Sequence, residues 1–402
     1  MIPRITAVQI RNYKSLAQVG VVNLEPFTVL VGPNATGKSN FLNALAFVQE
    51  SLSSTIEFTL KSRGGIGAVR RRSGGHPTNI EFRILMELGE GHYADYSFKI
   101  AARPTERFTV AHERCHVHKF MQPDHIFEIQ DGKFTREIRD IRPKITPDRL
   151  ALPIVSAVDE FRPVYDFLTS MRFYSIVPGQ LRELQDSDPG DVLKHDGSNA
   201  AAVLKRIMEQ SNGTGRYERI CALLSKVAFG VQGVEHKPVG KKETLQFKLD
   251  VGLKDSWRFD ALNMSDGTLR VLGLLVAIYQ PGHHTLVGIE EPESTVHPAA
   301  AEVIVQALID ASQERQIIIT THSPDILDFK EVKDSYLRAV SMERGNTIIS
   351  PLAQSTKEAI IRRLYTPGEL LRLDELTPDT EAAKKNSLQL RFPWPDETGV
   401  PK

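Results

Sequence analysis

Cysteine is nearly absent from this chain: Cys115 and Cys221 are the only two in 402 residues. Two thiols cannot build a disulfide framework, which sets aside the small secreted scaffolds and fits a reducing compartment. Long apolar runs are missing as well. Stretches such as Val271–Tyr279 reach about half the length of a bilayer span, and Met1–Ser15 carries no apolar block of a secretory signal. The expected location is the cytoplasm. Net charge is also lacking, with 50 Lys+Arg set against 50 Asp+Glu. A nucleic-acid partner must then meet a local basic surface, because the protein as a whole has no field to attract phosphate. What remains, 41% hydrophobic and 25% charged residues, is the composition of a globular chain long enough for a sizeable core.

Periodicity divides the chain. Ile5–Ile10 and Val19–Leu24 read as strands, and Phe27–Val31 is a continuous apolar run typical of a strand buried on both faces. Ser39–Ser51 carries Phe41, Leu42, Leu45 and Val48 at helical spacing. Ser62–His76 is rich in glycine and arginine and reads as a loop. Asn79–Ile141 alternates in short runs broken by turn signals, as an antiparallel meander does. Helical spacing returns over Glu160–Met171, Asn199–Gln210 and Arg216–Phe229, with a short strand near Phe173–Val177. Leu245–Leu253 reads as a strand, and helix, strand, helix, strand then alternate from Ser265 to Thr321 as in a parallel α/β unit. No internal repeat is visible.

Three strand ends carry the chemistry. Gly32-Pro33-Asn34-Ala35-Thr36-Gly37-Lys38-Ser39 has the spacing of a phosphate-binding loop and stands between a buried strand and a helix start, where such a loop works. Its backbone amides can cradle phosphates at the positive helix end, Lys38 can reach the β and γ phosphates, and Ser39 can ligate magnesium. Far along the chain, the strand Thr285–Ile289 delivers Glu290 and Glu291 to its carboxyl end. Glu290 suits the magnesium shell and Glu291 suits deprotonation of an attacking water, the arrangement known as Walker B. The next buried strand ends in Thr321-His322-Ser323, where His322 can sense a γ-phosphate. Met264-Ser265-Asp266-Gly267-Thr268 precedes a helix and lies 25 residues before Glu290. That is the order of the signature motif of ATP-binding-cassette ATPases. Ser265 can cap the helix, whose amino end is then an anion site for the nucleotide of a partner subunit.

Together these motifs resemble the RecF/SMC-type branch of the cassette ATPases, and especially the stand-alone ATPases of the RecF-like and AAA-21-like group. The likeness is carried by Ile10-Arg11-Asn12-Tyr13-Lys14-Ser15, Gly32–Asn40, Met264–Thr268, Gly288-Ile289-Glu290-Glu291-Pro292-Glu293 with His297-Pro298, and Thr320-Thr321-His322-Ser323-Pro324. It implies an α/β P-loop NTPase fold, a head domain that binds ATP and Mg²⁺, closes as a homodimer around two ATP molecules and acts on DNA in repair, chromosome maintenance or defence. Two positions depart from the pattern: Glu290 stands where many members have aspartate, and Asp266 replaces the first glycine of the signature. The glutamine that follows metal and γ-phosphate in this family falls on Gln180 or Gln185, with Gln185 entered in the expected metal set beside Ser39 and Glu290.

The expected layout is an amino-terminal lobe with the P-loop over 1–60, a basic loop and antiparallel meander over 61–150, and a helical insertion over 151–260. A lobe with signature, Walker B and switch histidine follows over 261–350, then carboxyl-terminal helices and an irregular tail over 351–402. Long coiled-coil arms do not fit. Only 80 residues separate Gln185 from Ser265, enough for two arms of about 60 Å at most. A transporter ATPase does not fit either, because 227 residues separate Lys38 from Ser265. The related overcoming-lysogenization-defect nucleases add a metal-dependent nuclease domain. The 80 residues after His322 hold no Asp-x-Asp pair, so no nuclease is expected in this chain.

Lys61, Arg63, Arg70, Arg71 and Arg72 put five cations in twelve residues without an acid, a candidate contact to the DNA backbone. His112, Cys115, His116 and His118 suggest zinc by composition, but strand alternation sends the cysteine to the face opposite the histidines. Asp186, Asp188, Asp191 and Asp196 sit in a Pro-Gly setting that fits turns. The sequence thus points to a Mg²⁺-dependent ATPase coupled to DNA-associated work. The alternatives are an ATPase sensor or scaffold whose effector is a separate protein, and a nucleotide-gated binding module.

Overall fold

The computed structural model describes residues 2–71, 79–89, 91–103, 107–136, 144–210 and 215–383. The chain opens with the hairpin β1 (Arg4–Tyr13) and β2 (Leu16–Asn23), then β3 (Phe27–Val31), the long helix α1 (Lys38–Ser53) and the short α2 (Ile56–Lys61) and α3 (Ile66–Val69). Five strands follow: β4 (Ile80–Gly89), β5 (His92–Ala102), β6 (Phe108–Lys119), β7 (His125–Gln130) and β8 (Lys133–Arg136). Next come α4 (Leu152–Val155), α5 (Arg162–Thr169), β9 (Arg172–Tyr174), α6 (Pro178–Arg182), β10 (Gln185–Asp186), α7 (Ala200–Gln210) and α8 (Arg216–Val227). The strands β11 (Val231–Val239), β12 (Lys242–Leu249) and β13 (Trp257–Asp260) lead to α9 (Asp266–Tyr279), β14 (Leu286–Glu290), α10 (Pro298–Ala311), β15 (Gln316–Thr321) and α11 (Pro324–Leu327). The chain closes with β16 (Leu337–Glu343), β17 (Asn346–Ser350), α12 (Gln354–Ile361) and α13 (Pro367–Arg372).

A six-stranded sheet in the order β17-β16-β3-β15-β14-β9 forms the centre. All its neighbours are parallel except the edge pair β16–β17. The apolar runs expected from the sequence are its central strands, and successive side chains go to two different cores. Leu30, Leu286 and Ile318 join one cluster, whereas Val29, Val31, Ile289, Ile317 and Ile319 join the other. This two-sided burial explains why these strands read as continuous hydrophobic runs.

The first cluster lies between this sheet and a seven-stranded antiparallel sheet in the order β2-β1-β4-β5-β6-β7-β8, with α1 sandwiched between them. Phe47 of α1 meets Tyr13 of β1 edge-on at 5.7 Å and stacks on Phe82 of β4 at 5.6 Å, and Phe82 stacks on Phe98 of β5 at 5.0 Å. The meander does not stand apart from the amino-terminal strands, since β1 and β4 pair from Arg4–Glu87 to Arg11–Glu81. The second cluster packs α7, α8, α9 and α10 on the opposite face. The expected loop over 62–76 contains α3, the expected strand Leu245–Leu253 is the middle of a three-strand meander, and residues 384–402 of the tail lie outside the described residues.

One side chain joins the two sheets. Gln316, at the start of β15 and fully buried, accepts from the Ile5 amide at 2.8 Å and donates to the Ile5 carbonyl at 2.8 Å and to the Glu25 carbonyl at 3.0 Å. Truncation strands the backbone groups of Ile5 without water to replace the amide. Gln316→Ala is expected to cost about 3 kcal/mol of unfolding free energy, at about 1–3 kcal/mol for each buried group left unpaired. Urea denaturation checks this, with exposed Gln313→Ala as the neutral control.

Candidate functional site

The register of the parallel sheet assembles the site. Val31 pairs with Thr321, and Thr320 pairs with Glu290. The residues that follow these pairs, Gly32, His322 and Glu291, therefore come off the same rim side by side, at the carboxyl ends where ligands of open α/β sheets bind. The phosphate loop, more than 250 residues before the paired acids and the histidine in sequence, is their neighbour in space.

The loop itself is built by close approaches. Gly37 holds φ +102°, and a Cβ there would collide with Thr347 Oγ1 of β17. Thr347 donates to the Thr36 carbonyl at 2.8 Å and lies 2.7 Å from Ser15 Oγ, which also accepts from Asn40 at 2.8 Å. The first hairpin turn and β17 thus clamp the loop from behind, while Pro33, Asn34 and Ala35 stay exposed in front. Lys38 is buried and folds back on the loop, donating to the carbonyls of Gly32 and Pro33 at 2.7 and 2.8 Å. Burial pulls its ammonium pKa down, and the carboxylates of Glu291 and Glu293 pull it up. A cation held only by neutral carbonyls is ready to exchange them for phosphate oxygens.

The carboxyl of Glu290 is pushed up by burial and drawn back by His195, the Ser39 hydroxyl and Lys14. A hydroxyl and a carboxylate that sense each other at the mouth of the loop are the donor set expected for Mg²⁺, which nucleotide phosphates would complete. Glu291 adopts φ +42°, a conformation uncommon for a side chain of this size. The Thr320 carbonyl accepts from its amide at 3.0 Å, Ser294 donates to Oε2 at 3.1 Å, and His322 Nδ1 lies 3.0 Å from Oε1. The base is aimed by its neighbours on both sides, and β15 supplies one of them.

The signature stands at the start of α9. Ser265 caps that helix by accepting from the Thr268 amide at 3.2 Å, and Ser265 and Asp266 are exposed. The acid at Asp266 has a specific neighbour: Arg182 of α6 pairs with it and also donates to the Met264 carbonyl at 3.1 Å. The carboxylate at this helix start is thereby balanced by a guanidinium from α6. Further along α9, Arg270 runs beneath the paired acids and donates to the carbonyls of Glu291 at 2.8 Å and Ile176 at 2.5 Å.

Two of the expected roles fall on side chains that already have partners. Gln185 is buried, its carbonyl oxygen accepts from the Ala201 amide at 2.9 Å, and its nitrogen donates to the Gln180 carbonyl at 3.2 Å. The oxygen ties β10 to α7 and the nitrogen ties it to α6. His195, anchored by Nδ1 to the Phe173 carbonyl at 2.8 Å, lies near enough to Glu290 to draw its pKa down. The cations of the basic run that are described also have partners. Arg63 forms a two-pronged pair with Glu50 at 2.5 and 2.8 Å and stacks over Phe47, and Lys61 pairs with Glu57 one helical turn away. Arg71 donates to the Gly345 carbonyl at 2.9 Å, the Arg70 backbone bridges to Tyr13, and Arg72 lies outside the described residues. Cys115 faces the core, His112 meets Glu128, and His116 and His118 share Asp124.

Sequence reasoning assigned no role to Lys14, Asn43, His195, Arg270 or Glu293. Lys14 had a signal, its place in the opening motif, and the structure turns it toward Glu290 with its ammonium on Asn43 Oδ1 at 2.8 Å. His195 had none.

Known proteins resemble this chain. A family model described as "AAA ATPase domain" matches residues 4–163, and one described as "AAA domain, putative AbiEii toxin, Type IV TA system" matches residues 164–328. The two meet end to end across loop, signature, paired acids and switch histidine. The chain is similar to RecF/SMC-like AAA ATPases. The Old nuclease of Escherichia phage P2 is 22% identical over 398 residues, covering 91% of this chain and 63% of that protein. Structural maintenance of chromosomes protein 1 of Schizosaccharomyces pombe is 26% identical over 118 residues, which is 27% of this chain and 10% of that one. The chain thus spans under two thirds of the length of either curated relative. Among solved structures, an Smc head bound to the C-winged helix domain of ScpA matches with a TM-score of 0.53 at 14% identity, over 88% of this chain and 99% of that one. That likeness shows a shared fold. No described helix is long and apolar enough to cross a membrane.

The clamp on the loop makes a direct prediction. Gly37→Ala puts a methyl against Thr347 and holds alanine at a positive φ, a strain of about 1–3 kcal/mol. Nucleotide affinity should fall about 10- to 100-fold, measured by fluorescence titration with a labelled ATP analogue.

Proposed function

We propose that this protein is a Mg²⁺-dependent ATP hydrolase whose homodimer closes around two ATP molecules and couples that cycle to DNA-associated work. The observation that carries the reading is the register that brings Lys38, Ser39, Glu290, Glu291 and His322 to one rim. Lys38 leaves the carbonyls of Gly32 and Pro33 for the β and γ phosphates. Ser39 and Glu290 hold the metal, and Mg²⁺ supplies charge neutralisation to the phosphates. Glu291 takes the proton of the attacking water as the bond between the γ-phosphorus and its bridging oxygen breaks. His322, 3.0 Å from Glu291, contacts the γ-phosphate and registers its departure.

Dimer closure is supported by the exposed signature. Ser265 and Gly267 stand at the amino end of a 14-residue helix, which presents backbone amides and positive dipole to an anion from a second copy. DNA association is supported by what the relatives are called, a nuclease and a chromosome-maintenance protein. A second reading, an ATPase sensor or scaffold serving a separate effector, is favoured by the toxin system named in the description of the family matched by residues 164–328.

The deciding experiment is steady-state ATP hydrolysis with and without linear double-stranded DNA. Glu291→Gln should lower turnover about 10²- to 10⁴-fold, the usual weight of a general base, and Lys38→Ala should remove nucleotide binding. Stimulation by DNA that vanishes at high salt supports a backbone contact. A rate indifferent to DNA moves the reading to a protein partner, and a wild-type rate equal to that of Glu291→Gln contradicts hydrolysis.

A further inference from the structure

Three carboxylates crowd the Walker B turn, and the third has no part in the mechanism above. Glu293 Oε1 accepts from Thr321 Oγ1 at 2.6 Å, and Thr321 in turn accepts from the Ser323 amide at 2.9 Å. This carboxylate therefore shapes the turn that carries His322. Its other oxygen, Oε2, is sealed from solvent and has no hydrogen-bond partner among the described residues. Burial is the largest influence on Glu293 and raises its pKa, against Thr321 and its own backbone amide.

A matching orphan lies in the same electrostatic neighbourhood. Arg270 is 8% exposed, and its two terminal nitrogens are occupied by the carbonyls of Ile176, Glu290 and Glu291. Its Nε–H is buried and has no partner among the described residues. Among charged groups Glu293 acts on it most strongly, ahead of Glu291, whose carbonyl it already touches. A buried acceptor and a buried donor of opposite charge, both unused, cost free energy apart and recover it together.

We propose that Glu293 is a positioning carboxylate: Oε1 holds the switch-histidine turn through Thr321, and Oε2 receives Arg270 Nε–H when nucleotide closes the site, locking α9 to the base. The geometry explains what that bond accomplishes. Arg270 is five residues beyond Ser265 on α9, so any shift of the signature at the helix start is carried rigidly to the guanidinium. The guanidinium already grips the carbonyls of Glu290 and Glu291, so fixing its third donor fixes the backbone from which both acids project. Phosphate at the signature is thereby reported to the hydrolytic base within one subunit. The inference rests on the ATPase reading and adds to it a residue that touches neither metal nor phosphate.

The test is a double-mutant cycle on the full chain with Glu293→Gln, Arg270→Lys and the pair combined. Glutamine keeps the size and the bond to Thr321, and lysine keeps the buried charge. Glu293→Gln should lower single-turnover hydrolysis on the order of 10²-fold, the penalty of a misplaced base, while changing ATP affinity less than about two-fold. The combined variant should be no slower than the slower single, because once Arg270 is replaced Glu293→Gln has no shared bond left to remove. Multiplying effects, or a Glu293→Gln rate equal to wild type, would overturn the inference. If wild type itself does not turn over, the hydrolysis reading fails separately. The same cycle is then read on the ATP-induced rise in melting temperature, where additivity overturns the inference and non-additivity supports it.

Discussion

Everything functional in this molecule depends on the parallel alignment of β3, β15 and β14. The pairs Val31–Thr321 and Thr320–Glu290 are ordinary register pairs of a parallel sheet, yet they decide which side chains leave the sheet at one level. Strand side chains alternate between faces, so a slip of one residue would exchange the contents of the two cores and carry Glu291 and His322 off the rim. The alternation of Leu30 and Ile318 into one cluster with Val29 and Ile319 into the other makes that slip costly. Packing on both faces is therefore what holds the chemistry in register, and Gln316 fixes the strand start that sets it.

The rim also concentrates charge in a chain that has none overall. Glu290, Glu291 and Glu293 face Lys38, Lys14, Arg270 and His322, and burial opposes the charged form of both Glu290 and Lys38. At rest Lys38 and Arg270 hydrogen-bond backbone carbonyls, and a polyphosphate with its metal would offer Lys38 charged partners in their place. The Arg182–Asp266 pair balances an acid that would otherwise repel phosphate.

Much of this was legible in the sequence, for physical reasons. A glycine loop between a buried strand and a helix, and acids ending an apolar run, are local patterns. Two-sided burial leaves a hydrophobic run that no exposed strand carries, so β3, β14 and β15 announced themselves. What stayed hidden depends on contacts distant in sequence. Whether Gln185 faces a metal or caps α7 turns on Ala201 and Gln180, and neither spacing is periodic. Arg63 reads as a free cation until Glu50, thirteen residues earlier and off the helical repeat, is found against it. The partner of the phosphate loop, Thr347, comes from a terminal hairpin whose sequence gives no hint of that contact. The seven-stranded sheet crosses an expected boundary because β1 pairs with β4, far along the chain.

The central claim is that this centre is completed by a second copy bearing the signature. Its most direct measurement is the solution mass of Glu291→Gln with and without ATP·Mg²⁺, by light scattering at micromolar concentration. The account predicts a monomer that doubles in mass on adding ATP and returns on its removal, with Ser265→Arg blocking the change. A protein that binds ATP yet keeps a monomer's mass would contradict it.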